Sequence, residues 1–405
     1  MVASAPLGMT TRRGFAAGLG ALTLLRPWRG AAEARDGGRG VLAYVGDYTP
    51  DAEGIYLCRL DRVQGTLVPL KTFRDIANPS WLATDAAGRR LYAVNEVKTY
   101  HGAAGASVSA FAIEPATGEL TLLNSVSSHG LEPPHLSVHP SGRWVLVANY
   151  RNGTIAVLPV QADGSLGEAV DVQQNSGPGG PPIPADGPPG YFPSGDSDGH
   201  PHAHMIAADP TGRFVLVDDL GLDRLYVWRF DVATGRLTPN DPAFVATSAG
   251  GGPRHFVFHP NGRVLYNLLE EASRLVAYRW DSGSGHLSEI GSASTLPAGF
   301  AGSNLASEVV VSPDGQHVYA ANRLHNSVAI FHVESDGRLQ PRGHEWVRGD
   351  YPRHITLDPS GGFLFCCNQR SDDITAFRVN RVSGALTSTG RYTPVGSPTN
   401  LTFLG

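Results

Sequence analysis

The chain repeats itself. Six segments share one order of residue types: a polar opening, a short run rich in Val, Ile, Leu, Tyr and Phe, a Gly-containing turn, and a second such run ending in a polar residue. They read NPSWLATDAAGRRLYAVNE (78–96), PPHLSVHPSGRWVLVANY (133–150), HPHAHMIAADPTGRFVLVDDL (200–220), GPRHFVFHPNGRVLYNLLE (252–270), ASEVVVSPDGQHVYAANR (306–323) and YPRHITLDPSGGFLFCCNQ (351–369). Two β-rich runs around such a turn are a hairpin signal. A third run follows, as in SRLVAYRWD, SVAIFHVE and DITAFRVN, and a Gly-x-Leu turn closes the unit at Gly118, Gly235, Gly337 and Gly384. Three to four antiparallel strands recurring in this way make a propeller blade. A seventh copy begins as SPTNLTFLG (397–405) and stops after one strand, while VLAYVGDY (41–48) supplies a matching second run. The expectation is an all-β, seven-bladed β-propeller of four-stranded antiparallel blades. Pairing the N- and C-terminal strands closes the ring and removes two free edges. A pair of β-sandwiches is the competing architecture.

Composition agrees. The chain holds 49 Gly and 30 Pro, which makes it turn-rich, and its 41% hydrophobic content is enough for a core. A net charge of −5 without any Lys/Arg run excludes a basic nucleic-acid binder. Cys58, Cys366 and Cys367 are odd in number and lack zinc-type spacing, so they read as buried thiols rather than a disulfide framework. The stretch QQNSGPGGPPIPADGPPGYFPSGDSDG (173–199) is too rich in Pro and Gly for a strand and is read as a surface loop over one face.

Residues 1–34 stand apart. Arg12 and Arg13 precede the apolar run 15–25, too short for the ~20 residues a bilayer span needs. Ala32-Glu33-Ala34 then offers an A-x-A cleavage site. This is a signal peptide, and the Arg pair followed by Phe15 resembles a twin-arginine leader. The expectation is export by the Tat machinery, with 35–405 forming the propeller in the periplasm or outside the cell. No other apolar stretch reaches membrane length.

In a hairpin the start of the first strand lies beside the end of the second. The residues opening and closing each copy therefore share one rim, around the channel mouth. Openings contribute His135, His202, His204, Arg254, His255, Arg353 and His354; endings contribute Glu96, Asp219, Glu270, Arg323 and Gln369. A concave mouth with converging polar groups is the default binding site. Three Arg residues suit a carboxylate or phosphate, and His beside Glu suits proton transfer. His202 and His204 could share a strand face as a metal pair, but without clear further ligands no metal is assigned. Asn95, Asn149, Asn322 and Asn368 are read as turn caps, and His139 and His259 as turn formers. No Gly-x-Ser-x-Gly elbow or phosphate-binding Gly loop is present.

The strings YVGDYT, NPSWLA with YAVNE, PPHLSVHPSGRWVLVANYRNGTIAVLPV, DDLGLDRLYVW, GPRHFVFHPNGRVLY, SPDGQHVYAANRLHNSVAIF and PRHITLDPSGGFLFCCNQRSDDITAF, in this order, resemble the seven-bladed lactonase family. That family includes propeller-type 6-phosphogluconolactonases, and carboxy-muconate lactonising enzymes share the fold. The resemblance runs from about 41 to 405. It implies a metal-independent, cofactor-free site whose His, two Arg and Glu fall on His204, Arg254, Arg323 and Glu270. His135, His202, His255, Arg353 and Glu96 are expected around the substrate. Two positions depart from the family pattern: Leu269 replaces an Asn before the Glu, and the Pro/Gly stretch precedes the His. The implied activity is hydrolysis of a sugar-type lactone or a related carboxylate- or phosphate-bearing sugar acid. Arg254 and Arg323 would hold the anion and the oxyanion, and Glu270 and His204 would move the proton. A muconate-type cyclo-isomerase and a non-catalytic exported binding platform are the alternatives. A phosphorylated sugar lactone is a cytosolic metabolite, which conflicts with the leader; an unphosphorylated aldonolactone does not.

Overall fold

The computed structural model describes residues 40–49, 52–178, 190–192, 196 and 199–404. These form seven four-stranded antiparallel sheets, six of them in sequence order from the inside outward. Blade 2 comprises Leu82–Thr84, Arg90–Asn95, Ser107–Ile113 and Leu120–Ser127. Blade 3 comprises His135–Val138, Trp144–Ala148, Thr154–Pro159 and Asp171–Gln174. Blade 4 runs over Ala203–Ala208, Phe214–Asp219, Arg224–Asp231 and Arg236–Ala246. Blade 5 runs over Pro253–Phe258, Val264–Leu269, Arg274–Asp281 and His286–Ser294. Blade 6 is Ala306–Val311, His317–Asn322, Ser327–Val333 and Leu339–Trp346. Blade 7 is Pro352–Leu357, Phe363–Asn368, Asp373–Val379 and Leu386–Pro394.

Blade 1 is composite, as expected. Its inner strand is the C-terminal Pro398–Phe403, and its other three are Leu42–Asp47, Ile55–Asp61 and Thr66–Phe73. Tyr44 pairs with Thr402 and Val45 with Leu401 across the closure. The inner strands of neighbouring blades contact one another right round the ring.

The hydrophobic runs explain the stacking. The second strands of blades 4, 5, 6 and 7 are buried at all six positions, because blades cover both faces. That is why they read as continuous apolar runs rather than alternating ones. The apolar side chains gather into seven clusters, one per blade interface. At one of them Leu146, Ile155 and Val157 of blade 3 meet Ile206, Val215 and Trp228 of blade 4. Cys58 and Cys367 sit in the cluster joining blades 1 and 7, and all three cysteines are free and buried.

The Gly-x-Leu turns tie blades together. The hydroxyls of Tyr44, Tyr266 and Tyr319 donate to the carbonyls of Gly118, Gly337 and Gly384 in the next blade, at 2.9, 3.0 and 3.0 Å. Gly235 fills the same slot beside Trp144. Its φ is 74°, and an added Cβ would lie 2.7 Å from the Trp144 ring, so no other residue fits there. His139 and His259 are the expected turn residues, bonded through Nε2 to the carbonyls of Gly212 and Gly315 in the next hairpin. The amides of Asn95, Asn149 and Asn322 donate to the carbonyls of Ala77, Ser128 and Thr295, tying each second strand to the preceding loop.

Two details differ from the sequence reading. Gln173 and Gln174 belong to the outer strand of blade 3, pairing with Ile155 and Thr154, so the Pro/Gly stretch begins later than 173. A small hairpin, Thr99–Tyr100 with Ala103–Ala104, interrupts blade 2. The leader 1–34 lies outside the described residues. Among those described, no helix is long and apolar enough to cross a membrane.

Candidate active site

Inner-strand openings and second-strand endings do share one rim. The backbone N–H groups of Glu96, Glu270 and Arg323 donate to the carbonyls of Asn78, Gly252 and Leu305, just before the inner strands. The openings carry a feature that alternation does not predict. Register shifts fall at Ala203/Met205, Pro253/His255 and Pro352/His354, inserting His204, Arg254 and Arg353 as extra residues. A regular strand would send Arg254 and His255 to opposite faces. The bulge turns both inward, re-aiming a side chain as bulges do. The result is two tiers in the channel.

The upper tier is a pocket of about 180 Å³ whose walls include Glu96, His204, Glu270, Arg323 and Arg353. Pro134, Tyr150 and Asp196 complete it. Glu270 is the hub. One carboxylate oxygen lies 2.5 Å from Nη2 of Arg323 and the other 2.8 Å from Nε of Arg254. The Arg254 approach is close but off-line, an ion pair rather than a directed bond. Arg254 is not part of the pocket wall. It lies beneath Glu270, 3% exposed, with Nη1 donating to the Ser307 carbonyl. Leu269, at the family's Asn position, packs in the core between blades 4 and 5. There Asp223 fixes the loop before Arg254 by accepting from the N–H groups of Gly250 and Gly252.

A second network faces the first. Arg353 donates to the Tyr48 hydroxyl at 2.7 Å, and that hydroxyl donates to Glu96 at 2.8 Å. Ser80 donates to the same Glu96 oxygen. The Tyr150 ring stands edge-on to His204, 5.6 Å between centroids.

The lower tier holds His135, His255 and His354 with Trp81 and Glu308. His255 Nδ1 lies 3.0 Å from Glu308, and His354 Nε2 3.7 Å from it. His135 packs against Trp81 at 4.4 Å and accepts from the Ile206 N–H. His204 touches this tier through His255, at 5.0 Å between rings. Thus His135 and His255, expected around the substrate, form the floor instead. His202 is displaced too: its ring stacks on Tyr150 and its Nδ1 meets the Tyr150 carbonyl at 3.0 Å, behind the pocket wall. The bulge at Ala203/Met205 breaks the same-face relation expected of His202 and His204. Among the described residues, no group of three or more His, Cys, Asp or Glu is spaced to hold a metal ion.

Burial sets the proton affinities. His204, His255 and His135 are held well below the ordinary 6.5, by burial first, then by Arg254 at His204 and His255 and by His255 and Arg254 at His135. All three are neutral imidazoles at physiological pH. Burial pushes Glu270 up, but Arg323 and Arg254 outweigh it and keep its carboxyl below the usual value. Glu96 goes the other way: burial raises it more than Arg353 lowers it. Burial lowers Arg254 to about 10. A wider groove of about 960 Å³ lies among the hairpin turns of blades 5 and 6, but none of its ionisable side chains is buried.

Residues 42–403 match the family model described as Lactonase, 7-bladed beta-propeller. The chain belongs to this lactonase family. A 6-phosphogluconolactonase of Bacillus subtilis is 32% identical over 365 residues, 90% of this chain and 98% of that protein. One of Yersinia pestis is 28% identical over 354 residues, covering 86% and 93%. Among solved structures, the periplasmic gluconolactonase of Pseudomonas aeruginosa has a TM-score of 0.80 and 31% identity, covering 90% of this lactonase and 99% of that chain. Within this lactonase the sequence pointed to Glu96, His204, Glu270, Arg323 and Arg353 on the wall, and missed Tyr48, Tyr150, Asp196, Trp81 and Glu308. Glu308 had a signal: in ASEVVV it takes the slot that His255 and His354 take in their copies. The tyrosines had none, since Tyr44 reads the same and is core.

Proposed function

We propose that the channel-mouth pocket opens a sugar lactone by direct, metal-independent attack of water. The observation that carries this is the clamp of Glu270 by two guanidinium groups beside a neutral His204. Arg323 and Arg353 face the pocket and would polarise the lactone carbonyl, then stabilise the tetrahedral oxyanion. Glu270 holds Arg323 in place, and Arg254 holds Glu270; Arg254 acts through Glu270 rather than on substrate. His204 would take the proton from water and return it to the ring oxygen as the C–O bond breaks, giving the hydroxy acid. Glu270 is a poor base here because two cations hold it ionised. The named relatives are hydrolases, which favours this reading over a cyclo-isomerase or a binding platform.

His204→Ala should lower kcat/KM by about 10²–10⁴. Because burial and Arg254 keep His204 unprotonated, the wild-type rate should stay level from neutral pH down past 6.5 and fall only as His204 titrates below it. Initial rates corrected for spontaneous hydrolysis give both results. An acid limb at or above 6.5, or full activity in the variant, would remove His204 from this role.

The proposal extends to location. A periplasmic structural neighbour is compatible with residues 1–34 acting as an export leader, and the Arg12-Arg13 pair carries the reading of that leader as Tat-type. Changing Arg12 and Arg13 to Lys should trap the protein in the cytoplasm on cell fractionation; unchanged export would refute the leader assignment.

A further inference from the structure

The pocket walls carry three carboxylates, Glu96, Asp196 and Glu270, against two guanidinium groups, Arg323 and Arg353. Arg254 beneath them adds a third cation, shared with Glu270. Neither wall cation is uncommitted. Arg323 faces Glu270, and Arg353 is joined through the Tyr48 hydroxyl to Glu96. Among the described residues, no lysine lines the pocket. A further guanidinium, Arg370, is exposed and stacks over Tyr351, 3.8 Å from its centroid, outside the wall. Of the Pro/Gly stretch, Asp196 brings its carboxylate to the wall.

A phosphate ester asks for the opposite arrangement. Proteins hold phosphate dianions with free Lys or Arg groups and bundled backbone N–H donors. Here a dianion would meet carboxylates in a partly buried pocket, where like-charge contacts are weakly screened. Glu96 is already raised by burial, so a second anion beside it is further disfavoured. Sugar hydroxyls fit the same walls well. Carboxylate oxygens accept from hydroxyl donors, and the guanidinium groups donate to ring and carbonyl oxygens.

We propose that this pocket selects a neutral, polyhydroxylated sugar lactone over its phosphate ester, with Glu96 and Asp196 setting the preference. The proposal rests on the lactone-hydrolase reading above and narrows its substrate class. It separates this chain from the relatives named for the phosphorylated lactone.

The test is kcat/KM of the wild-type chain on glucono-1,5-lactone and on its 6-phosphate. The unphosphorylated lactone should be preferred by at least about tenfold, the scale of one like-charge contact. Asp196→Asn should shrink the ratio about threefold or more, by raising turnover of the phosphate ester. Glu96→Gln should do the same while also disturbing Tyr48 and Ser80; Asp196→Asn removes the charge and keeps an oxygen to accept from the Tyr150 hydroxyl. Equal or greater activity on the phosphate ester overturns the preference and leaves lactone hydrolysis standing. A ratio unmoved in both variants overturns the assignment to Glu96 and Asp196. Turnover of neither lactone overturns the hydrolase reading itself, and the preference with it.

Discussion

Replacing Glu270 with alanine should reduce kcat/KM for lactone hydrolysis by about a thousandfold or more. One oxyanion donor is worth about 10²–10³ in rate, and this change displaces Arg323 while freeing Arg254 beneath it. It should also destabilise the fold. Arg254 and Arg323 are 3% and 4% exposed, so losing Glu270 leaves two buried cations without their shared anion. Breaking a buried pair by removing one partner costs about 3–5 kcal/mol. Glu270→Gln keeps the shape and loses only the charge, so its losses should be smaller in both respects. Initial rates and thermal melting of the two variants check this. Wild-type activity within tenfold in Glu270→Ala would show that the clamp does not organise the reaction.

Removing residues 397–405 should abolish the fold. The last strand is the inner strand of blade 1, and no other segment takes its place. Without it Leu42–Asp47 loses its inner ladder partner and becomes an open edge, a template for aggregation. The loss extends to both neighbours. Leu401 leaves the cluster joining blades 1 and 7. Toward blade 2, the Thr399 hydroxyl no longer donates to the Ser80 carbonyl, nor Thr402 to that of Leu82. Ser80 holds Glu96, so the pocket would go with the closure. The truncated chain should be insoluble or lack a cooperative melt by circular dichroism. A melt within a few degrees of the full chain would mean that the ring does not need its closing strand.

The fold was legible because a propeller repeats a local signal. Each hairpin copy carries its own apolar runs and turn, and the half-copy at 397–405 needed a partner that only 41–48 could supply. The rim was legible for the same reason, since hairpin geometry alone puts Glu270 beside Arg254 and Arg323 beside the opening of its own copy. Depth was not legible. Whether Arg254 lines a pocket or lies beneath one depends on a bulge at Pro253/His255, and the run Phe256-Val257-Phe258 that follows has no polar/apolar alternation in which an inserted residue could be read. The corresponding shift at Ala203/Met205 separates His202 from His204 and leaves it behind the wall. Glu308 sits in an apolar strand, and its partners His255 and His354 come from the neighbouring blades on either side, so only the closed ring explains it. Asp196 comes from the Pro/Gly stretch, where composition indicates a loop and nothing about where it goes.

Acid release by the purified chain on glucono-1,5-lactone, followed by pH-stat with a metal chelator present and with Glu270→Ala alongside, tests metal-free lactone opening at the channel mouth most directly. The expected result is release well above the spontaneous rate, undiminished by the chelator and lost in the variant. Release no faster than the spontaneous rate, or release that the chelator abolishes, would contradict it.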